Sequence, residues 1–380
     1  MLRLIRERIG RRRLLLSGAA AGVGMWADTT QRTTAAETRT QPGTAARDYA
    51  RPPRAMTARR VASASGPEPQ TGDFPPARWS FSPITRRPSL EWPDGARVAF
   101  WIGYNIEYFE PGKPSTSIST ATTNLDPDPL NAGWREYGHR VGVWRMMELL
   151  DKFNMRASVL LNSDVCHHFP EIIEEGNKRR WAWLAHGKTN TNRWTNMTAE
   201  EERVALADVV NTIREHTGQP PKGWLGPALG ETYNTLDLMA EQGMTYTCDW
   251  CNDDQPYPVR VRQGRMISVP YSIELNDISL FIGKTVSGQQ FCDIVTDQFD
   301  VLYEEGAQRP RVMCLALHPM IVNQPFRHKH LARVLDYITS HDRVWLPTSD
   351  EIADWYYTHY YVQAIAQGAF GPVPGSSTQA

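Results

Sequence analysis

The sequence predicts an α/β protein whose patterned region forms a single closed or nearly closed barrel domain. Three observations predict it. Apolar, strand-like runs recur at 98–106, 157–162, 181–185, 223–225, 245–250, 266–271, 312–317 and 344–346, and helical periodicity fills the gaps between them. Strand, helix and strand repeated this often needs crossover connections, hence a mostly parallel sheet. No Gly-x-Gly-x-x-Gly follows the first strand, which removes the main reason to choose a doubly wound open sheet instead. In a barrel of this kind the chemistry gathers at the C-terminal ends of the strands.

The helical segments are expected at 137–153, 171–180, 198–216, 232–242, 289–305, 326–340 and 350–361. The third is the best bounded. Thr198-Ala199-Glu200-Glu201 has the form of a capping box, in which Thr198 caps a free N–H and Glu201 reaches back. Gly218, with Pro220 and Pro221 beyond it, stops the same helix.

At 380 residues and 41% hydrophobic content the chain can bury a sizeable core, and no polar linker divides the patterned region. One domain is therefore expected, over residues 88–367. Residues 28–73 are rich in Thr, Ala, Arg, Pro and Gln with few large apolar groups, too little burial to offset ordering entropy. A flexible tether, a disordered N-terminal extension, is read over 28–87, and a Gly/Pro/Ser-rich tail over 368–380. In residues 1–27, Arg11-Arg12-Arg13 precede Leu14-Leu15-Leu16-Ser17-Gly18-Ala19-Ala20-Ala21-Gly22, which resembles a twin-arginine export signal. A periplasmic or secreted protein is expected. A plain basic leader or a transit peptide, with a cytoplasmic location, is the competing reading.

With 41 Lys+Arg against 42 Asp+Glu, no global basic field argues for nucleic acid as a partner. No stretch approaches eighteen uninterrupted apolar residues, so no spanning helix is expected. A small-molecule substrate is the expected partner, with a homo-oligomer left open. Cys166, Cys248, Cys251, Cys292 and Cys314 are odd in number and sparse, unlike a disulfide framework. Cys248 and Cys251 form a Cys-x-x-Cys pair, but no second pair completes a zinc site, so ordinary core thiols are expected.

Strand ends supply the candidate site. Asn105 and Glu107 end the first strand, Asn162 and Asp164 the second, and His186, in Leu184-Ala185-His186-Gly187, the third. Asp249 with Asp253 and Asp254, then Glu274, Asn276 and Asp277, follow on later strands. His318 closes the series in Leu315-Ala316-Leu317-His318-Pro319, where Pro ends the strand. The bland readings are a solvated carboxylate for Glu107, satisfied core histidines for His186 and His318, and a turn cap before Pro256 for Asp253 and Asp254. Of the thirteen tryptophans, Trp224 and Trp250 fall close enough to the barrel mouth to be substrate walls.

These residues resemble the polysaccharide deacetylase superfamily, carbohydrate esterase family 4, and within it the branch of cofactor-free allantoinases and cyclic imide hydrolases. The matching pieces are Gly103-Tyr104-Asn105-Ile106-Glu107, Glu136-Tyr137-Gly138-His139-Arg140 with Trp144-Arg145, Ala185-His186-Gly187 and Gly223-Trp224-Leu225-Gly226-Pro227. Further on come Asp249 with Asn252-Asp253-Asp254-Gln255-Pro256-Tyr257, Val269-Pro270-Tyr271 with Asn276-Asp277, and Leu317-His318-Pro319. The resemblance implies a distorted barrel of about seven strands and hydrolysis of an amide bond. Metal-dependent members of the family carry two adjacent aspartates after the first strand and His-x-x-x-His after the third. Here stand Asn105-Ile106-Glu107 and His186-Gly187-Lys188-Thr189-Asn190. Because an amide is a poor zinc ligand, no cofactor is expected; were zinc bound, Glu107, His186 and Asn190 would hold it.

The expected activity is hydrolysis of a non-peptide C–N bond in a cyclic amide, imide or ureide. Glu107 with His186 would activate water and His318 would protonate the leaving nitrogen, with Asn105 and Asn190 as donors to the developing oxyanion. Asp249, Asp253, Asp254, Asn276, Trp224 and Trp250 would complete the substrate site. The alternatives are a metal-dependent N-deacetylase of cell-wall or other N-acetylated carbohydrate, and a non-catalytic carbohydrate-binding barrel.

Overall fold

Strand β1 (Val98–Ile106) is buried along its whole length, as a central strand covered on both faces must be. In this computed structural model, which describes residues 78–113 and 115–370, it lies inside a nine-stranded sheet. The expected export signal, most of the tether and most of the tail lie outside the described residues. The other strands are β2 (Ala157–Leu161), β3 (Ala182–Ala185), β4 (Gly223–Trp224), β5 (Tyr246–Thr247), β6 (Tyr257–Val259), β7 (Met266–Ser268), β8 (Arg311–Leu317) and β9 (Val344–Trp345). Their order is β6-β7-β5-β4-β3-β2-β1-β8, with β9 also on β1. From β7 to β8 every pairing is parallel, seven strands in all, and β6 alone is antiparallel. β6 is the strand that periodicity does not reveal, being three residues long with Pro258 at its centre, a composition confined to sheet edges.

The curled sheet nearly closes. On the free edge of β8 three backbone N–H groups find partners outside any ladder: Val312 donates to the Asp254 carbonyl at 2.8 Å and Ala316 to the Leu275 carbonyl at 3.0 Å. The third, that of His318, donates to the Asp277 carboxylate at 2.8 Å. An isolated parallel bridge between Asn276 and Ala316 marks the same seam. Buried donors must be satisfied, and here two loops and one side chain satisfy them where a strand would otherwise lie.

Strand alternation sorts side chains into two layers. Phe100, Ile102, Tyr104 and Ile106 of β1 pack with Met146, Leu206, Val295 and Leu335 from the helices, so this stripe faces the outer layer. Trp101 packs with Leu160, Leu184, Leu225, Cys248, Val269, Cys314 and Ala316, all from the sheet and its strand ends, and this stripe fills the barrel. Trp92, Ile352 and Tyr356 plug the end opposite the strand C-termini.

The helical segments follow the periodicity, including the capping box at Thr198 and the left-handed stop at Gly218, φ 84°. The first begins earlier than expected. A helix runs over Pro129–Tyr137, capped by the Asp128 carboxylate on the Asn131 N–H, and continues through a π-helical turn over Gly138–Gly142 into Val143–Lys152. Gly142 explains the close approach: a Cβ there would stand 2.2 Å from the Pro319 carbonyl oxygen. The packed region also starts before residue 88. Arg78 is buried and forms two 2.9 Å hydrogen bonds to the Asp237 carboxylate, and Arg87 holds both oxygens of Asp253 at 2.8 and 2.6 Å. Two guanidinium–carboxylate pairs thus fasten the end of what composition alone reads as tether.

Candidate active site

Parity brings the site together. The filling stripe of β1 runs through Ala99, Trp101 and Gly103 to Asn105 and Glu107; that of β3 runs to His186 and that of β8 to His318. Glu107, His186 and His318 are all buried at the same strand ends. One oxygen of Glu107 lies 3.3 Å from His186 Nε2 and 3.7 Å from His318 Nε2.

What stands behind each imidazole differs. His186 Nδ1 lies 2.6 Å from the Leu225 carbonyl and donates to it, while its Nε2 faces Glu107. His318 Nδ1 lies 2.7 Å from the Asp277 carboxylate. Burial alone would strip the proton from His318, but Asp277 and Glu107 outweigh it and push the imidazole up to about 10. Burial would raise Glu107, yet His318 and His186 hold its carboxyl down at about 2. The centre is therefore an imidazolium between two carboxylates, beside a second imidazole anchored on a backbone carbonyl.

Around this centre Asn162 acts as a brace, accepting from the Tyr108 N–H at 3.0 Å and donating to the His186 carbonyl. Asn105 is a brace too, which corrects its expected role: its amide hydrogens go to the Tyr271 hydroxyl at 3.1 Å and the Leu317 carbonyl at 3.2 Å, leaving none for an oxyanion. The Asn190 backbone N–H donates to the carbonyl of Tyr108, the residue after Glu107, at 2.8 Å, and its side-chain oxygen is buried without a partner. The second oxygen of Glu107 is likewise buried without a partner.

Other expected residues stand elsewhere. Trp224 faces the outer layer, edge-on to Trp194 with ring centres 4.8 Å apart, because the inward residue at that strand end is Leu225. Trp250 packs edge-on to Trp79 at 4.8 Å. Asp253 is held by Arg87 and lines a cleft of about 570 Å³ with Trp79, Tyr257, Tyr356 and Tyr360, none of which belongs to the Glu107 cluster. Asp254 spends its carbonyl on the seam. Asn276 accepts from the Ile278 N–H at 2.9 Å, at the start of the π-helical turn over Ile278–Gly283. Asp249 lies nearer, facing His186, and accepts from the Gly226 N–H at 2.7 Å.

Two residues that were given no catalytic or binding role belong to the site. Asp277 sets the charge of His318. His139, from the π-helical turn, lies against the backbone carbonyl of Glu107 and stacks on Phe169 with ring centres 4.2 Å apart. Burial pushes His139 down to about 4, so it is neutral. Both lie within motifs whose spacing is readable, but neither ends an apolar strand.

The donor set does not fit a three-ligand zinc site. Glu107 and His186 offer two strong donors, position 190 offers an amide, and His318 is held in its protonated form by Asp277. Among the described residues no group of three or more His, Cys, Asp or Glu could hold a metal ion, and Cys251 is exposed while Cys248 is buried.

Comparison with known proteins agrees with this fold. The sequence model of the family described as Polysaccharide deacetylase matches residues 132–247. A crystal structure of a probable polysaccharide deacetylase from Pseudomonas aeruginosa PAO1 superimposes with a TM-score of 0.66 at 28% identity, covering 72% of this chain and 95% of that one. In sequence and in fold the chain is similar to the polysaccharide deacetylase family. A Schizosaccharomyces pombe protein bearing a polysaccharide deacetylase name is 26% identical over 308 residues, 71% of this chain and 93% of its own length. The crystal structure of the PuuE allantoinase superimposes with a TM-score of 0.65 at 26% identity, covering 73% of this chain and 95% of that one. Deacetylases and an allantoinase thus share this polysaccharide deacetylase barrel, and both names denote hydrolysis of C–N bonds.

Proposed function

We propose that this protein hydrolyses the C–N bond of a cyclic amide, imide or ureide without a metal. The observation that carries the reading is the split between the two histidines: one is backed by a carbonyl and the other by a carboxylate, on either side of one carboxylate oxygen. Environments that push titratable groups apart assign acid and base.

A water in front of Glu107 and His186 Nε2 donates one hydrogen to each. As its oxygen attacks the carbonyl carbon, His186 takes the proton; Asn190 is a candidate donor to the developing oxyanion. His318 Nε2–H then delivers its proton to the departing nitrogen and the C–N bond breaks. His186 ends protonated and His318 neutral, and the Glu107 oxygen they share returns the proton. No Lewis acid takes part in these steps, so a strained or activated ring carbonyl suits the site better than the acetamide of a sugar.

Metal-dependent N-deacetylation of a glycan is the second reading, favoured by the names of the relatives. Protein stripped with a chelator and assayed on hydantoins, cyclic imides and N-acetylated sugars separates the two. Turnover of a cyclic substrate that survives stripping is expected. Activity on N-acetylated sugar alone, abolished by the chelator and restored by zinc, overturns the proposal.

A further inference from the structure

His186 is oriented by the Leu225 carbonyl, and Leu225 opens a tightly coiled loop. In residues 226–230, Ala228 and Leu229 both adopt left-handed conformations, φ 57° and 56°. For residues with a Cβ this conformation is strained, so the loop needs something to hold it. Its ring presses on the histidine segment: at Gly187 (φ 65°), an added Cβ would meet Pro227 at 2.8 Å and Trp194 Nε1 at 2.5 Å.

At the end of the loop stands Glu231. Both of its carboxyl oxygens are buried and neither receives a hydrogen bond from any N–H or O–H donor. Its contact is another carboxyl group, that of Asp249, which is itself fixed by the Gly226 N–H at 2.7 Å and the Thr247 hydroxyl at 3.4 Å. Two carboxylates in contact out of water repel each other; with one proton between them they form a strong hydrogen bond.

We propose that Glu231 and Asp249 share a single buried proton, and that this acid–carboxylate bond clips residues 226–231 onto the end of β5, making both positioning residues for His186. The surroundings agree. Arg78 and Glu202 face Glu231, and Tyr257 lies near it, while His186, Cys248 and Cys251 face Asp249. Arg78, the one fixed cation among them, is committed to Asp237 through two hydrogen bonds. Glu202 is occupied by the Thr232 and Thr235 hydroxyls. Burial and the neighbouring carboxylate raise Glu231 well above its ordinary value, and burial brings Asp249 up to about 6, against the lowering effect of the Glu231 bond. The clip does not depend on which C–N bond the site cleaves.

Infrared and nitrogen-15 histidine NMR spectra of the full chain test it without any substrate. At neutral pH the wild-type protein should show the carbonyl stretch of a protonated buried carboxyl group, and Glu231→Gln should lack it. The Gln amide still donates to Asp249, so the hydrogen-bonded His186 Nδ1–H signal should persist in Glu231→Gln and be lost in Glu231→Ala. The His318 signal, which hangs on Asp277, should stay in both. Absence of the band from wild type, its survival in Glu231→Gln, or an unchanged His186 signal in Glu231→Ala overturns the proposal. Should Glu231→Ala fail to fold, an alkaline titration of wild type decides: band and His186 signal must vanish together, and a His186 signal that outlasts the band refutes the clip.

Discussion

His186 and His318 enter the same barrel mouth and each commits Nδ1 to a protein oxygen at nearly the same distance, 2.6 and 2.7 Å. For His186 the acceptor is a carbonyl and for His318 a carboxylate. A carbonyl fixes the orientation of the ring; a carboxylate fixes it and also stabilises the imidazolium. In the proposed mechanism the two roles are thus assigned from behind the ring.

That contrast can be broken at its hub first. Replacing Glu107 by Gln removes the charge that both rings face, and kcat should fall about 10²–10⁴-fold while circular dichroism stays native. Asp277→Asn erases the difference between the rings. His318 then loses its main stabilising charge, kcat should fall about 10²-fold or more, and any alkaline limb of the rate profile that reports His318 should move to lower pH.

A third test reads stability. His318 is raised from 6.5 to about 10 in the fold, so its contribution is fully present below pH 6.5 and is lost as pH rises through about 10. Glu107 is lowered from 4.5 to about 2, so its contribution is fully present above pH 4.5 and is lost as pH falls through about 2. Denaturant melts across pH should show both slopes in wild type, with the alkaline one missing in Asp277→Asn. The smallest effect sharpens the His186 side. Gly187→Ala, which needs φ 65° and meets Pro227, should cost about 1 kcal/mol or more of stability and lower kcat with little change in KM.

The long strands β1, β2, β3 and β8 were legible because each is an uninterrupted apolar run, and counting by twos from Trp101 or Cys314 lands on Glu107 and His318. Where strands shrink to two or three residues the count loses its anchor. Trp224 and Leu225 are equally apolar, and only the register of β4 decides which faces the barrel. Asp253 looked like a site carboxylate because its partner, Arg87, lies far away in sequence in a segment whose composition reads as tether. Asp277 lies beyond β7 on an irregular connection, and its meeting with His318 depends on how the sheet closes, which local pattern does not encode. His139 enters through a π-helical turn, a geometry without a sequence period.

The seam at β8 has a kinetic consequence. Asp277 bonds both the backbone N–H and the ring of His318, so one carboxylate is at once the last rung of the sheet edge and the counter-ion of the acid. A transient parting of Leu275 from Ala316 would pull that counter-ion away and discharge the imidazolium. Breathing of the edge and proton inventory at the reaction centre are therefore one motion, and amide hydrogen exchange at His318 should report both.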